Sequence, residues 1–344
     1  MDELASLTSW MTLASVPGVS WATIDQSGTI KAHAEGFARA GTLAATADTL
    51  FEAASLSKSV LAVAVHDLVH AGLIDLDRPV IQNVAFTEDP ATCAITPRHL
   101  LSHSSGLPNW RTDAGEPLVG SYAPGSRFRY SGEGFVLLGR LVEAVTGQSA
   151  AQVVAARVFG PAGMVQSTYG WPVDHAPAVA WAHDGSGAVL PDQGPAGFAH
   201  RRDAGPAKPV QQWTETERVA AAVASGKPGL PIYMTPNMAA GLWTTAGDYA
   251  RFLKFTRHFP VLNVPAISVK GDLSWGLGWG LDGTAGRRFA WHWGSNSGVA
   301  NLFLIDLATG DGLVVLTNGD AGQKVYERAA RIFFGREFDA FTWL

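Results

Sequence analysis

Apolar and polar positions alternate near the amino-terminal end of the chain. Over residues 16–38 the alternation runs on either side of Asp25-Gln26-Ser27-Gly28, which is typical of two antiparallel strands joined by a tight turn. Near the carboxyl terminus, short and mostly apolar segments on either side of turns predict three strands, and a closing helix follows them. They are residues 289–293, 299–306 and 313–317 for the strands and 322–334 for the helix. Strands at both ends predict one antiparallel sheet assembled from the two termini.

The middle of the chain has helical periodicity instead. A broad apolar face over residues 57–71, followed by Gly72 at the C′ position, predicts a central and mostly buried helix. A short helix is expected to begin at Thr96-Pro97, with Thr as the N-cap and Pro in the first turn. Thr245 and Asp248 have the spacing of a capping box before another helix. Further helices are predicted over 135–145, 150–158, 214–224 and 246–255.

These elements predict an α+β fold with two domains. Residues 1–85 and 240–344 would form an α/β domain whose antiparallel sheet is flanked by helices, and residues 86–239 an inserted, mainly helical domain. Residues 170–238 are rich in Pro, Gly, Ala and Trp, and such a long loop-rich stretch is typical of a lid or binding region. Residues 170–238 either cap a cleft or form an ordinary surface loop. The residues that would cap the cleft are Trp181, His183, Trp213, Tyr233 and Met234.

Composition narrows the classes of function. Charged residues make up 16% of the chain with a net charge of −5, and the lysines are scattered singly, which argues against a nucleic-acid partner. One cysteine, Cys93, excludes an internal disulfide framework and a multi-thiolate metal site. The start Met1-Asp2-Glu3 has the wrong charge for a signal peptide, and no apolar run of about 18 residues occurs. We therefore expect a cytoplasmic protein with no membrane partner.

The first candidate for chemistry is the segment Ser55-Leu56-Ser57-Lys58. Serine needs a base in fixed geometry to act as a nucleophile. At the first turn of the central helix, Ser55 would have the Lys58 amine on the same helix face. The helix dipole there favours developing negative charge. Lysine has an ordinary pKa of about 10.4, so Lys58 must be desolvated or placed beside another polar group to serve as the base.

Two further segments strengthen this candidate. Tyr130 lies in a loop just before a predicted helix, where its phenol can complete a Ser–Lys–Tyr cluster; the alternative is a packed aromatic residue. His292-Trp293-Gly294-Ser295 is placed where a strand runs into a Gly-rich turn. Backbone N–H groups of such a strand can stabilise an oxyanion together with the N–H of Ser55.

Two histidine pairs have a spacing that also suits metal binding. His66/His70 and His99/His103 are each separated by four residues, but neither pair has the glutamate of the HExxH motif. Structural histidines are commoner than ligands. We therefore expect no metal site and no other cofactor, and His103 is expected to make a structural hydrogen bond.

In order and setting, these motifs resemble the serine β-lactamase and penicillin-binding-protein superfamily, particularly class C-like β-lactamases and family VIII carboxylesterases. The matching stretches are residues 49–58, 96–108, 124–131, 241–246 and 314–318. The resemblance implies that Ser55 is acylated and that Lys58 and Tyr130 relay its proton, in an order that stays open. It also implies an oxyanion hole formed by the N–H groups of Ser55 and Ser295, and a substrate-binding stretch of His292, Trp293 and Gly294.

The chain also departs from the β-lactamase pattern. Gly132 stands where β-lactamases carry an Asn that binds the amide side chain of the substrate, and His292 and Trp293 replace the Lys and Thr that hold its carboxylate. A neutral imidazole and an indole hold a carboxylate weakly. This favours an uncharged, apolar acyl or alcohol group.

The function expected from these features is hydrolysis of short-chain carboxylic esters through an acyl-Ser55 intermediate. The partner would be a small-molecule ester, and the oligomeric state stays open. Alternatives within the superfamily are a β-lactamase, a D-amino-acid peptidase or amidase, and an acyltransferase. An alternative of another class is a binding or sensing protein that is acylated but does not turn over.

Overall fold

The computed structural model describes residues 7–111, 117–172, 178–191, 193, 205–224, 237–284 and 286–343. Tyr233 and Met234, two residues of the expected cap, lie outside these ranges. The strands are β1 Gly18–Ile24, β2 Ile30–Arg39, β3 Leu43–Ala44, β4 Phe51–Ala54, β5 Thr168–Tyr169, β6 Leu242–Thr244, β7 Ile267–Lys270, β8 Leu273–Trp275, β9 Gly280–Thr284, β10 Arg287–Asn296, β11 Val299–Asp306 and β12 Gly312–Thr317. The α-helices are α1 Leu7–Ala14, α2 Leu56–His70, α3 Pro97–Leu101, α4 Gly132–Thr146, α5 Ala150–Val154, α6 Gly160–Ala162, α7 Glu215–Ala224, α8 Ala246–Phe255, α9 Gly322–Phe334 and α10 Asp339–Trp343.

Most strands form one nine-stranded antiparallel sheet. Its order is β3-β2-β1-β12-β11-β10-β9-β8-β7, and β1 pairs with both β2 and β12. The first and last parts of the chain therefore meet in the middle of one sheet, which confirms the predicted α+β class.

Helices cover both faces of this sheet, because alternate side chains of a strand point to opposite faces. On β12, Val314 and Leu316 belong to the core that contains α2 and α8. Leu313 and Val315 belong to a second core that contains α1, α9 and α10. Strand β11 is buried along its whole length for the same reason.

Helix α2 lies in the larger core and carries the first candidate residues. Its residues from Leu56 to His66 are all buried, including Ser57, Lys58 and Ser59. The short sheet β4-β6-β5 leads into this helix. The predicted central helix is confirmed, one residue earlier than expected at each end.

Some predicted boundaries are wrong. Strand β10 does not end in a Gly-rich turn after Trp293 but continues through Asn296, and the turn follows at 297–298. Helix α4 begins at Gly132 rather than at 135, because Ser131 caps it by accepting from Gly134 N–H.

The capping box expected before α8 is only half formed. Thr245 accepts from the N–H of Asp248. The Asp248 carboxylate does not return to the backbone of Thr245; it accepts from Gln166 N–H and Ser167 Oγ and pairs with Arg251. Gln166 and Ser167 come from a distant part of the chain, so local spacing could not show these two partners.

The described parts of the 170–238 segment pack against the ends of the strands. Trp213 is buried with Trp171 and Trp243, and His183 is hydrogen-bonded to the carbonyl of Asn318. Leu190 packs beside Ala54, next to the first candidate residue. The capping role and the two domain boundaries stay predictions. Among the described residues, no helix is both long and apolar enough to cross a bilayer.

Candidate active site

Ser55 is held at a sharp turn between β4 and α2. Ala54 has a φ of 49°, a left-handed conformation that costs a residue with a side chain about 1–2 kcal/mol. Ser55 follows as the N-cap residue of α2, and its side chain makes no cap hydrogen bond. It is 8% exposed. The Ser55 hydroxyl is therefore not used to cap the helix.

Lys58, which lies one helical turn after Ser55, contacts this hydroxyl. Its Nζ lies 2.9 Å from Ser55 Oγ and 2.8 Å from the carbonyl oxygen of Ala239, to which it donates. The side chain has no exposed surface, and burial lowers the pKa of Lys58 to about 7 because the charged amine loses its hydration. A large fraction of Lys58 is therefore neutral near pH 7 and able to accept the Ser55 proton.

Tyr130 lies over the same amine. Its ring centroid is 4.9 Å from Lys58 Nζ, and its hydroxyl is buried. Burial raises the pKa of Tyr130, and hydrogen bonding by Ser55 offsets a part of this rise. The phenol is therefore protonated at neutral pH and can act as a proton donor or pass a proton on, but it is a poor first base.

His103 positions Tyr130 from behind. Its Nδ1 accepts from Ser131 N–H and its carbonyl from Arg129 N–H, so the residues on both sides of Tyr130 are fixed. The two rings are 4.2 Å apart. Burial, with the Lys58 charge, holds the pKa of His103 well below its usual value. The expected structural hydrogen bond of His103 is confirmed.

Strand β10 presents backbone N–H groups along an uncovered edge. The backbone carbonyl of Arg288 accepts from Leu307 N–H, so the backbone polar groups of Arg288 point toward β11. In an antiparallel strand the backbone polar groups of successive residues point to alternate edges. Odd-numbered residues of β10 therefore direct their polar groups to the opposite edge, which β9 covers only over 287–291. The N–H groups of Trp293 and Ser295 therefore point to this edge at positions that β9 does not cover.

Gly294 allows this edge to approach the Ser55 turn. A Cβ at Gly294 would lie 2.2 Å from the carbonyl oxygen of Ala53 and 3.3 Å from Leu56 Cγ. Only glycine fits between them, so β10 crosses the β4–α2 turn at close range. The structure thus brings the Ser295 amide to the same turn that holds Ser55.

His292 lies on the face of β10 that packs against α2. Its Nδ1 is 2.6 Å from the carbonyl oxygen of Trp293, and the side chain is completely buried. Burial and the Lys58 charge lower the pKa of His292 to about 3. The imidazole is therefore neutral near pH 7 and offers no positive charge to a carboxylate.

The resemblance suggested by the motifs agrees with the similarity of the chain to known proteins. Residues 11–336 match the family model described as Beta-lactamase. The chain belongs to this β-lactamase family. It is similar to solved structures with 23% sequence identity, namely the octameric penicillin-binding protein homologue from Pyrococcus abyssi and a penicillin-binding protein from Bacillus halodurans. The TM-scores are 0.73 and 0.69, over 97% and 95% of this chain and 78% and 99% of the other chains.

Two curated relatives of the chain have names that point to different activities, a penicillin-binding protein and an esterase. Penicillin-binding protein 4 from Amycolatopsis lactamdurans is 30% identical over 209 residues, which are 56% of this chain and 55% of that protein. Esterase EstB from Burkholderia gladioli is 35% identical over 153 residues, which are 34% of this chain and 38% of that protein. The matches thus span about half or less of the length of these two relatives.

One departure from the β-lactamase-family pattern has a structural reason. A Cβ at Gly132 would lie 2.5 Å from Cη2 of Trp110, so the Trp110 ring fills the space that the side chain of an Asn would need. Trp110 is 38% exposed, and its ring centroid is 5.8 Å from Lys58 Nζ. Trp110 is a part of the site that the sequence analysis missed, because nothing local links it to Gly132.

Glu52 is a second residue that the sequence analysis missed. It lies on β4, is 3% exposed, and accepts from the side-chain amide of Asn296 at the end of β10. Its backbone carbonyl accepts from Asn301 of β11. Burial raises the pKa of Glu52 to about 8. A neutral carboxyl group therefore ties the end of β10 to the strand that leads into Ser55.

Replacing Glu52 by glutamine should flatten the dependence of stability on pH. The folded protein holds the Glu52 proton up to about pH 8, whereas the unfolded chain releases it near pH 4.5. The free energy of unfolding therefore falls as pH rises between these values, by up to about 1.4 kcal/mol per pH unit. Glu143, whose burial raises its pKa to about 7, adds to the slope in both proteins. Urea unfolding from pH 5 to 8 measures the difference, and parallel curves would contradict a buried neutral Glu52.

Replacing Tyr130 by phenylalanine should lower kcat by about 10² or more for alkyl esters, if its hydroxyl serves in proton transfer. Nitrophenyl esters should lose less, because nitrophenolate leaves without being protonated. Tyr122→Phe is the control, since the Tyr122 hydroxyl is also buried but does not contact Lys58 or Ser55 in the described contacts. A loss under threefold with both kinds of ester would remove Tyr130 from the proton relay.

Histidines of the two pairs considered above as metal ligands have structural surroundings instead. His99 Nδ1 takes part in the cap of α3 at Thr96, and His103 holds Tyr130 as described. His66 is buried, and burial lowers its pKa to about 4. Within the described ranges, no group of three or more His, Cys, Asp or Glu side chains is placed to hold a metal ion.

Proposed function

We propose that this protein is a serine hydrolase that cleaves short-chain carboxylic esters through an acyl-Ser55 intermediate. The observation that carries the proposal is the distance of 2.9 Å between Ser55 Oγ and the Nζ of a completely buried Lys58. Burial supplies the neutral amine that an activated serine requires. The similarity to esterase EstB supports the choice of ester substrates.

Acylation begins when Ser55 Oγ attacks the ester carbonyl carbon and its proton passes to Lys58 Nζ. The carbonyl oxygen becomes an oxyanion, and in this proposal the N–H groups of Ser55 and Ser295 stabilise it. Removing one such donor typically costs 10²–10³-fold in kcat. The leaving alkoxide takes a proton from the Tyr130 hydroxyl, and Lys58 returns a proton to Tyr130.

Deacylation follows the same route with water as the nucleophile. Water attacks the acyl carbon and gives its proton to the relay, and the bond to Ser55 Oγ breaks as Oγ takes a proton back. The products are a carboxylic acid and an alcohol, and Ser55, Lys58 and Tyr130 return to their starting states.

Three features favour an ester over a β-lactam. His292 is neutral, Trp293 stands where the family carries a hydroxyl, and Trp110 fills the space beside Gly132. None of these groups offers a positive charge to a substrate carboxylate or an amide to a substrate side chain.

Pre-steady-state release of nitrophenol from the acetate and butyrate esters tests the proposal, with nitrocefin hydrolysed in parallel by the same enzyme. We expect sustained ester turnover and slow or absent nitrocefin hydrolysis. Fast nitrocefin hydrolysis would make the protein a β-lactamase despite Gly132. A single burst without turnover would indicate a sensing protein or an acyltransferase that lacks its acceptor.

A further inference from the structure

A cavity of about 280 Å³ lies over the end of β10 and the start of β11, on the sheet face that packs against α9 and α10. Its walls come from odd-numbered side chains of β10, from Ala300 of β11 and from the segment that includes α9 and α10. Its lining includes Trp293, Ser295, Asp320, Tyr326 and Trp343. No step of the acylation described above uses the cavity itself.

The cavity adjoins the leaving-group side of the proposed reaction. The ring of Trp293, which forms one wall, is 4.9 Å from the ring of Tyr130, the proposed donor to the leaving group. Ser295 forms another part of the wall and contributes its N–H to the proposed oxyanion hole. An ester held between these groups would direct its alcohol portion into the cavity.

Two of the walls are aromatic rings set edge to face. The centroids of Trp293 and Trp343 are 5.6 Å apart, with an interplanar angle of 79°, and Tyr326 lines the same space. Aromatic faces attract cations, most strongly when the cation is desolvated. Among the described residues, no Lys or Arg side chain is placed over the rings of Trp293, Trp343 or Tyr326, whereas Arg331 lies over Phe341 and Arg328 over Trp10.

Asp320 adds a negative charge to this aromatic wall. It is exposed and lines the cavity, and its Oδ1 accepts from the N–H of Gly298 in the β10–β11 turn, which fixes its position. The nearest lysine along the chain, Lys324, lines a different cavity beside α1. A carboxylate substrate would be repelled by Asp320, and a cationic one attracted.

We propose that this cavity binds the alcohol portion of the substrate and that this alcohol is cationic, an amino alcohol or a quaternary ammonium alcohol. The proposal rests on the proposed ester hydrolysis, and for the alcohol portion it replaces the expectation of an uncharged, apolar acyl or alcohol group. The volume exceeds that of a trimethylammonium group, which fits against the two tryptophan rings with Asp320 as the counterion.

Two acetate esters of equal shape test the proposal. Acetylcholine and 3,3-dimethylbutyl acetate differ in one positive charge, so the ratio of their kcat/KM values isolates the effect of charge. We expect a ratio of about five or more in favour of acetylcholine, falling as salt is added. Asp320→Asn, which keeps the acceptor for Gly298 N–H, and Trp343→Leu should each lower the ratio by about threefold.

Nitrophenyl acetate separates this proposal from the proposed function. Its alcohol portion has no positive charge, so its hydrolysis reports on the chemical step without the proposed charge interaction. Asp272→Asn, which removes an exposed carboxylate outside the cavity, should leave both this hydrolysis and the ratio unchanged. A ratio near one, or a ratio that neither cavity variant lowers, would overturn the cationic alcohol while ester hydrolysis stands.

Absence of turnover with all three esters would instead overturn the proposed hydrolysis. The cavity is then tested by binding, through quenching of tryptophan fluorescence by tetramethylammonium and by tert-butanol. Quenching by the cation at lower concentration, weakened in Asp320→Asn, would support the cation site, and equal quenching by both compounds would reject it.

Discussion

Replacing Ser55 by alanine should lower kcat/KM for ester hydrolysis by on the order of 10⁴-fold or more and leave the fold unchanged. The substitution removes the atom that forms the acyl bond. The hydroxyl makes no cap hydrogen bond to α2, and its hydrogen-bond partner Lys58 keeps the carbonyl of Ala239. The helix therefore loses no capping interaction. Steady-state kinetics measures the loss, and the mass of the protein after incubation with ester shows whether an acyl group is bound.

Ser59→Ala is the matched control for this variant. Ser59 is buried on the same helix, one turn further on, and donates to the carbonyl of Gly278. We expect it to lose stability by about 1 kcal/mol but to keep activity within about threefold. Unchanged activity in Ser55→Ala would remove Ser55 as the nucleophile, whatever the control shows.

Replacing Lys58 by methionine should lower kcat by about 10² or more, because the Ser55 proton loses its acceptor. Methionine has a similar length and fills the buried space without an amine, so the packing against Phe135 and Trp110 is kept. Lys254→Met is the control, since Lys254 Nζ donates to the carbonyl of Gly28 far from Ser55. A loss under threefold in Lys58→Met would mean that another group accepts the proton.

The dependence of activity on pH tests the same assignment in the unaltered protein. Only the neutral amine accepts a proton, and burial lowers the pKa of Lys58 to about 7. We therefore expect kcat/KM to fall about tenfold for each pH unit below 7 and to level off above it. His292, with its pKa near 3, stays neutral throughout this range. A profile that is flat from pH 5 to 8 would contradict Lys58 as the base.

Much of the site could be predicted because its parts are local in the chain. Ser55 and Lys58 are one helical turn apart, so the period of α2 brings them together once the helix is recognised. Thr96 and Pro97 predict the start of α3 for the same reason, since cap residues act within a few positions. The short apolar runs of β11 and β12 identify buried strands, although their order in the sheet depends on pairing between distant segments.

Other residues of the site gain their meaning only from contacts across the fold. Trp110 covers Gly132 from another loop, and Glu52 meets Asn296 from a strand 244 residues away. Asp320 was not considered from the sequence, because its place in the cavity beside Trp293 depends on how the β10–β11 turn and the segment before α9 meet. No periodicity within a single element indicates these neighbours.

The sequence by itself determined the α+β class, the central helix and the pairing of Ser55 with Lys58, since these follow from hydrophobic period and from spacing within one element. Only the tertiary structure decided that burial lowers the pKa of Lys58, that the Ser295 amide faces an uncovered edge, and that a carboxylate shares a cavity with two tryptophans. The physical reason is that pKa values and binding surfaces depend on burial and on distances between remote segments, and both are set when the chain packs.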